Sequence, residues 1–291
     1  MKALIFGANG QDGCYLSQIC RKRQIEVIGI SRNGPWLHGD VACPELVEEL
    51  IRRHQPEMIF HLAAISTTRH QAIYENNASI GTGTINILES VRRWSPRSKV
   101  FITGSGAQFV NNGEPISEND PFDHGSCYAA VRNYSVYLAR YFRGLGLRTY
   151  VGYLFNHESP LRRSDYVCQQ IALAAQRIAA GSEEIIELGD ISVRKECTFA
   201  EDIMKGVMTL LQQDAIHEAA IGSGCAYSIE DWLNECFRII QKDWHDYVRP
   251  KPDFKAEFKI LVSNPATINS LGWYATTEIN ELAKIMINHR S

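Results

Sequence analysis

The sequence predicts an α/β fold, a doubly wound parallel sheet with helices on both faces, followed by a smaller, mostly helical C-terminal lobe. Three observations predict it. Apolar runs of strand length alternate with helical stretches through the first half, a glycine-rich loop joins the first run to the first helix, and helical stretches dominate after residue 156. Strands separated by helices require right-handed crossovers, so the strands lie parallel and are buried on both faces.

Lys2–Phe6 is the first strand, and Asp12–Arg23 is a helix whose basic end suits the negative pole of a helix dipole. Glu26–Ile30 is the second strand. Pro44–His54 is a helix with Leu46, Leu50 and Ile51 on one face, stopped by Gln55-Pro56 before a third strand, Met58–Leu62. Gly83–Trp94 is helical, Lys99–Thr103 is the fourth strand, Tyr128–Arg143 is helical and Arg148–Leu154 is the fifth strand. Beyond them, Asp165–Ala180, Ala200–Gln213, Ile229–Gln241 and Glu278–His289 read as helices, with short apolar runs at Ile185–Leu188 and Ala219–Ile221. Tyr247–Phe254 holds two prolines and mixed charge, and reads as a surface connection. The expected division is a dinucleotide-binding domain over residues 1–155 and a substrate-binding lobe over 156–291, with segments returning to the sheet domain.

Composition narrows the function. Hydrophobic residues make up 45% of the 291 and charged residues 22%, as in a folded soluble domain. The net charge of -3 provides no field for nucleic acid or an anionic membrane. No apolar run approaches the ~18 residues of a membrane span, and the run after Met1 is too short for a signal-peptide core. Eight cysteines without a CxxC pair fit reduced thiols in a cytoplasmic protein. The nine histidines show no HExxH or Cys/His spacing, so no metal site is expected.

Gly7-Ala8-Asn9-Gly10-Gln11-Asp12-Gly13 follows the first strand directly. In a Rossmann turn the first glycine allows a tight bend, the second admits a pyrophosphate, and the third lets helix and strand pack closely. The second strand ends Ser31-Arg32. An acid there would bond a free ribose 2′-hydroxyl, whereas Arg32 accommodates a 2′-phosphate, so NADP is favoured over NAD. Asp40 can cap the local backbone or bond the adenine amino group.

The fourth strand leads into Thr103-Gly104-Ser105-Gly106, at the carboxyl end where parallel sheets place ligands. Tyr128 and Arg132 stand one helical turn apart on a shared face. A phenol exchanging a proton near neutral pH needs a fixed cation beside it, and Arg132 can supply one.

The chain resembles the extended short-chain dehydrogenases/reductases (the NAD-dependent epimerase/dehydratase group), specifically the GDP-mannose 4,6-dehydratase family. Gly10–Leu16 matches GQDGxYL, and Leu154-Phe155-Asn156-His157-Glu158-Ser159-Pro160 matches LFNHESP. Leu188-Gly189-Asp190 with Arg194-Lys195, and Asn264-Pro265 with Leu271-Gly272-Trp273, resemble further family segments. The resemblance implies that Tyr128 is the catalytic tyrosine and that Ser105 bonds the sugar 4-hydroxyl. It implies cofactor contacts at Asp40, Val41, Leu62, Ala63, Ala64, Ser66, Tyr74, Thr103, Phe155, His157 and Arg162, beside those of the glycine loop. Asn156, Arg194 and Lys195 fall on contacts to the sugar-nucleotide diphosphate, so the expected partner is a nucleotide sugar, a GDP-linked hexose.

Three departures bear on chemistry. The family's motif lysine is Arg132, which keeps the charge without a titrating amine. The glutamate that removes the C5 proton in dehydration falls on Ala107. The loop between the second strand and Asp40 is shortened to Asn33–Gly39; the family's longer loop helps build a tetramer, so a homodimer through Gly83–Trp94 and Tyr128–Arg143 is expected. Three functions follow: hydride transfer at hexose C4 in a 4-keto-sugar reductase or C4 epimerase, 4,6-dehydration with a relocated base, or non-catalytic binding of NADP or a nucleotide sugar.

Overall fold

The computed structural model describes residues 1–289. The chain runs β1 (Lys2–Phe6), α1 (Gln11–Lys22), β2 (Glu26–Ser31), β3 (Leu37–His38), α2 (Pro44–His54), β4 (Met58–His61), α3 (Ile73–Asn76), α4 (Gly83–Trp94), β5 (Lys99–Ser105), α5 (Cys127–Gly144) and β6 (Arg148–Leu154). It continues through β7 (His157–Glu158), α6 (Val167–Ala179), β8 (Ile186–Leu188), β9 (Arg194–Glu196), β10 (Thr198–Phe199), α7 (Ala200–Leu211), β11 (Glu218–Ile221), β12 (Ala226–Ser228), α8 (Ile229–Ile240), β13 (Val248–Pro250), β14 (Ile260–Leu261), α9 (Ala266–Ser270) and α10 (Ile279–Asn288).

The central sheet has seven strands in the order β11-β6-β5-β4-β1-β2-β3, all parallel. The strand order reverses between β1 and β4, which opens a crevice above their carboxyl ends. Alternation along β1 shows how the layers form: Ala3 and Ile5 face one core, Leu4 and Phe6 the other. On the first side Leu16 and Ile19 of α1 pack with Met204 and Val207 of α7. On the second, Val47 and Ile51 of α2, Ile87 and Val91 of α4, and Val136 and Phe142 of α5 fill the space.

The doubly wound α/β architecture is the one expected, with local differences. β11 joins the central sheet beside β6, because Ala219, Ala220 and Ile221 are fully buried there. The segment read as a surface connection contains β13, paired in parallel with β8. β5 extends to Ser105, two residues past the expected end. The helix expected from Gly83 is entered through α3 and a π-helical turn, Asn77–Thr82. No helix among the described residues is long and apolar enough to cross a membrane.

Candidate active site

Two cavities open above the carboxyl ends of the strands. The first, about 450 Å³, lies over the glycine loop. Gly7 has φ 89°, and a Cβ there would approach the Ala63 amide nitrogen to 2.7 Å, so this bend admits only glycine. A Cβ on Gly13 would run into the Gly7 carbonyl and Ala8, so the third glycine sets how closely α1 approaches β1. Gly10 is the N-cap of α1 and offers no side chain, leaving the first amides of the helix open toward the cavity. Asn9, Gln11, Asp12, Arg32, Asp40, Val41, Leu62, Ala63, Ala64 and Ser66 line the same space. Asp40 accepts the Ala42 amide at 2.9 Å while lining the cavity, so capping and ligand contact coexist in one side chain.

The second cavity, about 680 Å³, shares Asp12, Leu62, Ala64, Ser66 and Arg162 with the first. Thr103, Ser105, Ala107, Tyr128, Arg132, Phe155, Asn156 and His157 line it. Ser126 caps α5 by accepting the Ala129 amide, which places Tyr128 in the first turn, facing inward. Arg132 is buried one turn on. Its Nε donates to the Tyr128 hydroxyl at 3.1 Å and its Nη1 donates to the Thr103 carbonyl. Thr103 in turn donates to the His61 carbonyl at 2.7 Å, so the guanidinium is tied to the ends of β5 and β4.

Ser105 Oγ accepts the Ala107 amide at 3.2 Å, which leaves the hydroxyl proton for a ligand. Gln108 is fully buried. It accepts the Ser105 amide at 2.8 Å and donates to Asn133 at 3.0 Å, a framing role that takes it out of the chemistry. Ala107 is on the cavity wall and brings no carboxylate to it.

Charged groups line the junction of the two cavities. His157 Nε2 and Asp12 Oδ1 are 2.9 Å apart. Burial works against the Asp12 charge, but His157 and Arg162 outweigh it and hold the carboxyl at about 2. Burial likewise opposes the His157 charge, and Asp12 overrides it, raising the imidazole above its ordinary value. His61 behaves oppositely: burial foremost, then Arg132, lowers it to about 4, so it is neutral.

Three expected contacts are not brought to the cavities. Tyr74 is 84% exposed on α3 and lines neither, because that helix turns its Asn76 side inward and its Tyr74 side to solvent. Arg194 is exposed and donates to the Ala226 carbonyl at 2.9 Å across the β9–β12 pair. Lys195, on the opposite side of the same strand, is buried with its Nζ 3.7 Å from Glu158. Conversely, Arg69, Arg163, Tyr166, Glu257 and Phe258 line the second cavity and belong to no motif; a loop residue between periodic segments carries no signal of where it points. Among the described residues, no group of three His, Cys, Asp or Glu side chains is arranged to hold a metal.

A family model described as GDP-mannose 4,6 dehydratase matches residues 4–286. GDP-mannose 4,6 dehydratase 2 of Arabidopsis thaliana is 28% identical, over 98% of this chain and 86% of its own. GDP-mannose 4,6 dehydratase of Homo sapiens is 27% identical over 82% of this chain and 72% of its own. Among solved structures, the UDP-glucose 4-epimerase of Thermus thermophilus in complex with NAD superposes with a TM-score of 0.85 at 20% identity, covering 99% of this chain and 98% of that one. RMD from Pseudomonas aeruginosa complexed with NADPH gives 0.84 at 19% identity, over 98% and 97%. At these identities the superpositions establish the shared fold.

Proposed function

Because the chain belongs to the GDP-mannose 4,6-dehydratase family, we propose that it is an NADP-dependent enzyme acting at C4 of a hexose carried on a nucleoside diphosphate, GDP first among them. In this reading it reduces a 4-keto sugar or interconverts C4 stereochemistry, without eliminating the C6 hydroxyl. When bound, a nicotinamide would supply the chemistry of hydride exchange at C4: it would end oxidised after reducing a 4-keto sugar, or unchanged after an epimerisation. The glycine cradle, whose open faces a Cβ would fill, suits a dinucleotide.

One observation carries the proposal. The Arg132–Tyr128 hydrogen bond of 3.1 Å lies in the same cavity as Ser105, and the wall of that cavity carries Ala107, on which the family resemblance puts the glutamate of elimination. Arg132 occupies one lone pair of the Tyr128 oxygen and leaves its hydroxyl proton free to pass to O4. Ser105 donates its hydroxyl to the same oxygen and fixes it. Arg132 cannot lose a proton itself, so its part is to hold charge beside the phenol. A positioned base contributes roughly 10²–10⁴ in rate, so its absence would suppress elimination and leave hydride exchange intact.

Arg32 on the wall of the first cavity, beside Ser31 and Asn33, supports NADP over NAD. Asp40 and Val41 on that wall support an adenine contact, and Asn156 in the second cavity supports a substrate contact. Tyr134, Tyr137 and Tyr141 form an exposed stripe on α5, and Ile85 is exposed on α4, which packs against α5; this supports a homodimer through these two helices. Tyr137→Asp/Tyr141→Asp would then yield a monomer by light scattering; a monomeric wild type contradicts the assembly. All eight cysteines are free thiols, which supports residence in the reducing cytoplasm. The division at residue 155 remains part of the proposal, with the dinucleotide mainly on the first part, segments of the second such as Arg162 returning to it, and the sugar between the two.

Ala107→Glu tests the chemistry. It is expected to gain 4-keto-6-deoxy product from GDP-mannose, read by mass spectrometry. A wild type that already forms that product would show a relocated base and overturn the reading. A Tyr128→Phe variant with unchanged turnover would count against catalysis by this site.

A further inference from the structure

Glu158 is fully buried, and neither of its carboxylate oxygens has a hydrogen-bond partner among the described residues. Its neighbours are two cations: Arg162 Nε at 3.6 Å from Oε2 and Lys195 Nζ at 3.7 Å from Oε1. A buried ion group of this kind contributes little net stability, since apolar side chains of similar size would pack as well. Its return must therefore be sought in what it holds in place.

Arg162 lines both cavities. Its guanidinium lies 3.6 Å from the centre of the Tyr166 ring, and the Tyr166 hydroxyl donates to the Ser66 carbonyl at 2.9 Å. One edge of the guanidinium thus faces Glu158 and one flat face meets Tyr166, which fixes its plane. The charges around it also balance in a particular way. Asp12 is paired with His157, and Glu158 is shared between Lys195 and Arg162. Both ring nitrogens of His157 face acceptors, Nδ1 the Phe155 carbonyl at 2.7 Å and Nε2 the Asp12 carboxylate at 2.9 Å, so with the imidazole protonated two carboxylates against three cations leave one surplus positive charge. It lies on the wall of the cavity that the start of α1 also lines. That is the arrangement a phosphate group needs.

We propose that Glu158 is a positioning residue: it orients Arg162 toward the diphosphate of the bound dinucleotide, while Lys195 neutralises Glu158 so that the Arg162 charge stays available to the ligand. This rests on the cofactor reading above. Lys195 accordingly acts from behind the wall, not as a contact to the substrate diphosphate.

The test separates charge from orientation. Glu158→Gln alone leaves the buried Lys195 and the half-buried Arg162 without their shared anion and is expected to destabilise the fold. Glu158→Gln/Lys195→Met has the net charge of the wild type. It is expected to fold, to bind NADPH about tenfold more weakly, the weight of one charge-assisted hydrogen bond, and to be cut faster by trypsin after Arg162. Glu158→Asp, which keeps the charge with a shorter reach, is expected to shift both readouts the same way. Adding Arg162→Met to the double variant should weaken NADPH binding no further. Wild-type NADPH affinity and wild-type trypsin rates in the Glu158→Gln/Lys195→Met and Glu158→Asp variants overturn the proposal. A wild type that binds neither NADPH nor NADH refutes the cofactor reading instead, and the trypsin rates still decide whether Glu158 holds Arg162.

Discussion

Arg132→Met separates a working guanidinium from an inherited one. The substitution removes the 3.1 Å hydrogen bond to the Tyr128 hydroxyl and the bond to the Thr103 carbonyl, and keeps an unbranched side chain of similar reach in a buried position. A hydrogen bond to a charged group contributes about 1.5–3 kcal/mol, which as transition-state stabilisation corresponds to about 10- to 150-fold in kcat/KM. Tyr128→Phe removes the proton donor itself and is expected to cost roughly 10²–10⁴-fold. Because Arg132 acts through Tyr128, the double variant should be no slower than Tyr128→Phe alone. Arg132→Lys keeps a cation in place and should recover most of the loss. The assay follows NADPH oxidation with GDP-4-keto-6-deoxy-mannose, alongside urea unfolding to separate the stability cost of the orphaned Thr103 carbonyl, about 1–3 kcal/mol. Losses that simply multiply in the double variant would refute the coupling and leave Arg132 a packing residue.

Other consequences can be measured independently. Arg32→Asp should weaken NADPH by about tenfold and leave NADH little changed; equal affinity of the wild type for both would contradict the assignment. Gly13→Ala forces a Cβ into the Gly7 carbonyl and Ala8, and should cost about 1–3 kcal/mol in denaturant midpoint together with most dinucleotide affinity. The Asp12–His157 pair predicts a pH window. Asp12 sits at about 2 in the fold against an ordinary 3.8, so its contribution of about 2 kcal/mol is complete above 3.8 and fades as pH falls toward 2. His157 is raised, so its share is complete below 6.5 and is lost as pH rises through its folded value. Asp12→Asn should therefore destabilise most near about pH 5–6, and an equal penalty at acid pH would contradict the pairing.

Much of this architecture could be read from residue pattern because parallel strands buried on both faces appear as unbroken apolar runs. Helices α2 and α4 and strand β6 begin and end where the runs do. The glycine loop and the Tyr128–Arg132 pair were legible because their geometry is local: a turn and a single helical step. What escaped depends on distant partners. β8 becomes a strand only by pairing with β13, about sixty residues on. Lys195 falls on a ligand contact by resemblance, and its burial 3.7 Å from Glu158 is set by packing across the fold. Tyr74 follows from the family resemblance alone, and the side of a four-residue helix that meets solvent is set by the packing of Asn76. Arg163, Glu257 and Phe258 reach the cavity from loops, where no period marks a direction.

The most direct test is a single incubation series. Purified protein is mixed with NADPH and GDP-4-keto-6-deoxy-mannose, and separately with NADP and GDP-mannose, while nicotinamide absorbance and product mass are followed together. Loss of NADPH absorbance with a two-hydrogen mass gain on the keto sugar, and no loss of water from GDP-mannose, is the predicted result. Loss of water from GDP-mannose, or an unchanged absorbance together with no C4 isomer formed from any nucleotide sugar supplied, would contradict a site built to move hydride at C4 without elimination.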